Sequence, residues 1–481
     1  MDYEELPVLN EPNGDPGTNP NNLNNLIKYV PTLDDDVKST LRDLNQPITN
    51  YGEGKPERRE RLINIILKTP DIRRKFIIDH NIPLDDTELG QEISGYADDD
   101  QDDNDDDQDD DDEEFYTPGP EELITIRSEI ADFSLLKAKQ RVNEQEIFFQ
   151  SFNEPENLIN RRNKINNLKN FQLFISQIVS DRCTSILRFS KNLKNSNLIA
   201  AGSWNGQTYI MNQERLNCKY ILVDGHEEKI GGVDWNPTES THIATSGNEG
   251  NIAIFDINTP EESQAESDDP IEINPSLILK GHTNRVTRLD HHPCGKYLAS
   301  ASFDTTWRYW DLTKGKELFF QEGHSKEVFT VCHHPDGSLI SSGGLDAITR
   351  IWDLRIGRSI AVFQDHIKGI YSMDWRSNGY NLITGSGDNS IKIWDLRKSE
   401  NSICTIGGHK KLVSDIKISK DDKFFISSGY DGLVNIYSCD NWLKLKTFTN
   451  NEKQMTCDIS LNDDTIISGG WDRSLKLYTI N

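Results

Sequence analysis

The chain has 481 residues, 35% of them hydrophobic and 27% charged, and carries a formal charge of −27. That length holds one large domain plus accessory segments. Seven scattered cysteines without a CxxC pair read as reduced thiols, acids rather than an apolar core follow Met1, and no apolar run reaches about 18 residues, so the sequence predicts no disulfide framework, no secretory signal and no membrane span.

In chain order, residues 1–24 are rich in Asn, Pro and Gly and predict disorder. Residues 25–80 have a different texture. Asp34, Asp35 and Asp36 stand where a helix begins, and Val37, Leu41 and Leu44 follow at helical spacing. After a turn at Pro47–Gly54, Pro56 opens a second helix whose apolar face is Leu62, Ile63, Ile65, Ile66 and Leu67. Residues 81–120 form an acidic linker. Within it, residues 98–114 hold fourteen acids and no base, so about half of the net charge is one tract that repels itself and predicts a disordered spacer. Residues 121–150 read as an amphipathic helix, with Leu123, Ile126, Ile130, Phe133 and Ala138 near helical spacing. Residues 155–170 are polar and basic and read as a lead-in.

The last 300 residues keep a beat of about 42. An acid recurs at Asp304, Asp346, Asp388, Asp431 and Asp472. Six residues after each comes an aromatic: Trp310, Trp352, Trp394, Tyr437 and Tyr478. Four residues before each comes a hydroxyl: Ser300, Ser342, Thr384, Ser427 and Ser468. His226, His282, His324 and His409, each after Gly, and His366 after Asp365, open the units. A period in the low forties with Gly-His and Trp-Asp marks is that of WD-repeat propeller blades. The expected fold is therefore all-β, a seven-bladed propeller over 171–481, with a mostly disordered N-terminal extension containing short helices. The first unit is degenerate, with Ala201, Asn205 and Met211 in the marked places, and the second has Thr245, Glu249 and Phe255. An insertion at 259–276 lengthens the second unit and predicts a surface loop. Because Asn481 falls just after the third strand of the last blade, residues 171–179 are expected to supply its outer strand and close the ring.

Ser, His and Asp recurring together invite a hydrolase reading. A catalytic triad is needed once, at an exposed cleft with an oxyanion site, whereas here the set His282–Ser300–Asp304–Trp310 returns as His324–Ser342–Asp346–Trp352, His366–Thr384–Asp388–Trp394 and His409–Ser427–Asp431–Tyr437. These spacings predict a hydrogen-bonded chain locking each blade, not catalysis. His291-His292 and His333-His334 precede Pro at turn positions and lack metal-ligand spacing, and no GxxxxGK[ST] loop or GxGxxG after a strand occurs, so no metal, cofactor or small-molecule substrate is expected. The nucleic-acid candidate is residues 55–75, with eight bases against three acids: Lys55, Arg58, Arg59 and Arg61 at a helix start, then Arg73, Arg74 and Lys75. The bland alternative is a solvated helix face in which Glu57 and Glu60 answer the arginines. The same cluster suits a nuclear import signal. The stripe at 121–150 fits docking on a partner or on the chain's own propeller. Aromatics at the blade tops, Trp204, Phe303, Tyr430 and Trp471, are candidates for a contact face.

Residues 30–62, VPTLDDDVKSTLRDLNQPITNYGEGKPERRERL, resemble the splicing-factor motif of the WD-repeat family specific to the U4/U6 small nuclear ribonucleoprotein. The matching positions are Pro31, Thr32, Arg42, Leu44, Pro47, Ile48, Thr49, Gly52, Glu53, Gly54, Glu57, Arg58, Arg59, Glu60, Arg61 and Leu62. The segment IADFSLLKAKQR (130–141) is similar to the family's region between motif and propeller, while the Asp tract and the insertion depart from it. The resemblance implies a non-enzymatic nuclear scaffold of the U4/U6 and U4/U6·U5 particles. Its propeller would dock a U4/U6-specific partner protein among other tri-snRNP proteins, and its N-terminal motif would lie against U4/U6 snRNA. The alternative is a generic WD-repeat adaptor, such as a ubiquitin-ligase substrate receptor or chromatin subunit.

Overall fold

The computed structural model describes residues 30–31, 34–44, 46–48, 55–69, 72, 76, 122–192, 195–238, 241–257, 270–398 and 401–480. The expectations for residues 1–24 and the acidic linker, and for Arg73, Arg74 and Lys75, lie outside them. The chain divides into two compact units, Met1–Glu114 and Phe115–Asn481.

The first unit contains helices α1 (Asp34–Asp43) and α2 (Lys55–Lys68). Each is too short to persist alone in water. They hold each other by burying Val37, Leu41 and Leu44 against Leu62 and Ile66, with Val30 and Phe76 completing the cluster.

The second unit begins with α3 (Glu122–Gln150) and α4 (Glu154–Asn170) and continues into seven sheets arranged as blades. In each blade the inner three strands are buried on both faces, as in Tyr297–Ser302 and Leu339–Gly344, because neighbouring blades pack on either side. Small residues such as Ala299, Ala301, Ser341 and Gly343 occupy those strands, so adjacent sheets approach closely. Outer strands alternate instead, as in Arg358–Phe363. Large rings fill the gaps between blades: Phe363 stacks on Trp394 at 4.6 Å, and Phe448 on Tyr478 at 4.2 Å.

Blade 7 is built from both ends of the unit. Its strands Gln454–Ile459, Thr465–Gly470 and Ser474–Ile480 are joined by Phe171–Ile178, antiparallel, from Phe171↔Ile480 to Ile178↔Ser474, with one bulge. α4 passes directly into that strand at Phe171, and Lys446 Nζ donates to the carbonyls of Lys169 and Phe171, satisfying the helix end.

Two features add to expectation. The polar, basic lead-in at 155–170 is helical and belongs to α4, with Pro155 in its first turn, where a missing N–H costs nothing. The insertion 259–276 is not loop throughout: Ile271–Ile273 adds a fifth strand to blade 1, parallel to Cys218–Leu222. Its amides thereby cover an otherwise open sheet edge.

Candidate functional site: the basic arm and the propeller faces

In the arm, the four bases at the start of α2 have different surroundings. Lys55 is exposed. Arg58 is 6% exposed and pairs with Asp34 on α1, so it joins the two helices. Lys38 also meets Asp34, at 2.7 Å, and the Lys38 and Arg58 bonds hold the Asp34 carboxyl below its usual range. Arg59 Nε donates to the carbonyl of Pro31 at 3.1 Å, and Arg61 Nη2 to that of Ile48 at 3.3 Å. The guanidiniums expected to meet phosphates thus also bind the chain segments flanking α1. The outer side of α2 carries a shallow groove lined by Glu57, Glu60, Arg61, Asn64 and Lys68, two acids beside two bases.

In the propeller, turns between second and third strands and loops between blades define an upper face. The remaining turns define a lower face. In blade 3, Trp310 Nε1 donates to Ser300 Oγ at 2.8 Å, Ser300 Oγ lies 2.7 Å from His282 Nε2, and His282 Nδ1 lies 2.7 Å from Asp304. Asp304 also accepts from the Thr283 amide at 3.3 Å, tying the entry loop to the turn. Blade 4 repeats this through Trp352, Ser342, His324 and Asp346 at 2.8, 2.7 and 3.0 Å. Blade 5 does so through Trp394, Thr384, His366 and Asp388 at 2.8, 2.8 and 2.9 Å. In blade 6, His409 bonds Ser427 at 2.7 Å and Asp431 at 3.0 Å. Tyr437, in the Trp position, stacks on Phe425, and Asn435 Nδ2 comes within 3.2 Å of His409 instead. All four histidines are buried within the blades, so the Ser–His–Asp sets present no cleft to a substrate.

A second stitching was not foreseen from the sequence. On the inner strands Asp234, Asp290, Asp374 and Asp458 each accept the backbone N–H of a strand in the next blade: His291 at 2.8 Å, His333 at 2.7 Å, Ile418 at 2.8 Å and Phe189 at 2.7 Å. The last bond crosses from blade 7 to blade 1. The two His-His pairs divide similar labour. His291 and His333 bond Asp234 and Asp290, while His292 and His334 donate to the carbonyls of Gly337 and Gly379, each in the next blade, at 2.9 Å. An aspartate at the fifth position of each of these inner strands is the signal that could have revealed it.

Part of the lower face, along blades 3 to 7, lies under α3 and α4. Leu123, Ile126 and Ile130 of α3 pack among Tyr297, Leu318, Ile340 and Trp352, and Phe133 meets the His292 ring at 5.5 Å. Glu129 bonds Lys296, and Arg141 clasps Asp336 in a forked pair while donating to Asn378 O. α4 continues the brace through Arg161–Asp440 and Lys164–Asp421, and Leu168 sinks between blades 6 and 7. The amphipathic stripe therefore docks on its own propeller along its N-terminal half. The far half leaves Ile147, Phe148 and Phe149 exposed. The upper face carries Trp204, Phe303, Tyr430 and Trp471 beside Lys229, Arg285 and Lys453. Among the described residues no helix is long and apolar enough to cross a membrane, and no cluster of ligand residues fits a metal ion.

Seven blades with recurrent His–Ser/Thr–Asp locks define a WD-repeat propeller. The WD-domain G-beta repeat model matches residues 216–256, 273–311, 315–353, 357–395, 400–438 and 442–479, omitting the degenerate first unit. The model described as pre-mRNA processing factor 4 (PRP4) like matches residues 37–65, covering most of α1 and α2. The chain is 42% identical over 461 residues to the U4/U6 small nuclear ribonucleoprotein PRP4 of Saccharomyces cerevisiae, covering 95% of this chain and 92% of that one. It is 37% identical to an uncharacterized WD repeat-containing protein of Schizosaccharomyces pombe, over 57% of this chain and 52% of that one. It is 32% identical to the human U4/U6 small nuclear ribonucleoprotein Prp4, over 44% of this chain and 36% of that one. The chain belongs to the PRP4 family of WD-repeat proteins.

Proposed function

We propose that the chain is a non-enzymatic nuclear scaffold of the U4/U6 and U4/U6·U5 tri-snRNP in pre-mRNA splicing. Its propeller docks a U4/U6-specific partner protein, and its basic arm touches U4/U6 snRNA. The observation that carries this reading is the pairing, in one chain, of a separately folded PRP4-like arm with a propeller, over nearly the full length of a U4/U6 relative. A generic adaptor has no use for the arm. Arg58 is committed to Asp34, so among the described residues Lys55, Arg59 and Arg61 are the candidates left for phosphate contact, beside Arg73, Arg74 and Lys75 further along the chain.

Tagged protein pulled from nuclear extract is expected to recover U4 and U6 RNA, and recovery of other RNAs in their place overturns the reading. With duplex U4/U6 RNA, Lys55→Ala with Arg59→Ala is expected to weaken binding and flatten its salt dependence, because a protein that neutralises fewer phosphates releases fewer counterions. Unchanged affinity and slope would mean the face is only solvated.

A further inference from the structure

The upper mouth of the central channel holds cations that the chain itself leaves underpaired. Around it, Trp204 meets Trp471 edge-on at 5.9 Å, Phe303 meets Phe329 at 6.2 Å, and Phe329 meets Tyr371 at 4.9 Å. Tyr430 completes the rim, with Lys453 Nζ 5.5 Å from its ring. Three cations lie on these rings: Arg285 over Phe303 at 3.6 Å, Lys453 over Trp471 at 4.0 Å and Lys229 over Trp204 at 4.3 Å. Beneath them Arg288 is 8% exposed. It approaches Asp415 only to 3.9 Å, beyond hydrogen-bond reach, because Arg188 and Thr456 already hold that carboxylate at 2.9 Å. Arg285 has a buried Nε with no hydrogen-bond partner, and Glu327 is an acid whose charge acts on it. A buried guanidinium without full pairing is costly, and an incoming carboxylate that forks onto it recovers that cost.

We propose that this mouth is the docking point for an acidic segment of the partner protein, one carboxylate entering between the aromatic rings toward Arg285 and Arg288. The proposal rests on the reading that the propeller docks a protein. Charge complementarity selects the occupant: Arg285 and Arg288 lack a full set of partners, and a carboxylate supplies the forked acceptor they lack. RNA would instead stack its bases on open ring faces, and Trp204, Trp471 and Phe303 each already carry a cation over one face. The opposite face carries α3 and α4 packed on blades 3 to 7.

The test uses the full-length chain in nuclear extract, with the photo-crosslinking residue p-benzoylphenylalanine placed at Trp471 or, separately, at Phe149 on α3. Crosslinks from Trp471 are expected to map by mass spectrometry to a protein segment with several Asp or Glu. The combined change Lys229→Glu, Arg285→Glu, Lys453→Glu is expected to reduce that capture by about tenfold or more. The outer-strand reversal Lys219→Glu, Lys316→Glu, Lys444→Glu leaves it intact, and both variants are checked for an unchanged melting transition. Crosslinks from Trp471 to RNA or to a segment without acids overturn the proposal. Protein captured from Phe149 but not from Trp471 overturns it while leaving the docking reading standing. Protein captured from neither position overturns both.

Discussion

Ser342 is the hub of one blade lock. It receives the Trp352 indole N–H and bonds His324 Nε2, both buried. Ser342→Ala removes one atom and strands two polar groups, so it is expected to destabilise the propeller by about 2–3 kcal/mol, read from chemical denaturation. An effect near zero would mean the chain of bonds is incidental. Arg58 poses the opposite problem. Its neighbours Arg59 and Arg61 share its residue type, and nothing in the string ERRERL separates them. Arg58 is buried because Asp34, 24 residues earlier, arrives beside it where α1 packs on α2. Arg58→Ala is therefore expected to lower hydrogen-exchange protection across α1 and α2 severalfold, whereas Lys55→Ala leaves it unchanged. Weaker RNA binding by Arg58→Ala then reports unfolding of the arm rather than a missing phosphate partner.

At the scale of elements, closure depends on Phe171–Ile178, which buries Phe171 and caps the last sheet. Deleting 171–178 leaves Ser474–Ile480 as an open edge and removes the covalent link between α4 and blade 7. The expected outcome is a lower melting temperature with aggregation, measured by light scattering during a thermal ramp. A truncated chain that melts like the full one refutes the role. Blades were legible because their marks are local and periodic: in the second–third turns Asp304 bonds its own Thr306, and the same short chemistry repeats. α4 was not legible. It is Asn-rich, buries only Leu168 among its residues, and is held by ion pairs to Asp421 and Asp440 more than 250 residues away. Ile271–Ile273 was equally hidden, since three residues in a polar insertion carry no period to read. Gly250 shows how tightly blades meet: at φ 82°, a Cβ there would come within 2.6 Å of His282 O in the next blade's entry loop.

For the whole molecule, acid is the common stress. Burial raises the Asp304, Asp346, Asp388 and Asp431 carboxyls, but bonds and charge from His282, His324, His366 and His409 outweigh it and hold them below their usual range. Such groups stabilise fully above their unfolded value, near about 4, and lose that contribution as pH falls through the folded value. Burial also lowers His282, His226, His334 and His292, the last to about 3. A base depressed by folding costs stability as pH drops below its unfolded value of about 6.5. Asp458, Asp463 and Asp422, raised by burial, act in the opposite sense and soften the acid limb. The melting temperature is expected to be flat near pH 7–8, to decline below about pH 6 and to fall more steeply below about pH 4. His292→Gln should shallow the decline between about pH 6 and 4 in calorimetric scans. A melting temperature independent of pH across that range would contradict the account.

The sequence by itself determined the number of blades, the placement of their recurring residues, and the family, because each rests on residue spacings that can be read along the chain itself. Only the tertiary structure decided which cations are spent. Arg58 went to Asp34, while Arg285 and Arg288 were left underpaired at the channel mouth. It also decided that α3 lies on its own propeller and leaves the upper face open. Those outcomes depend on which groups from distant segments come within a few ångströms, where burial and pairing set the free energy, and no local period records that.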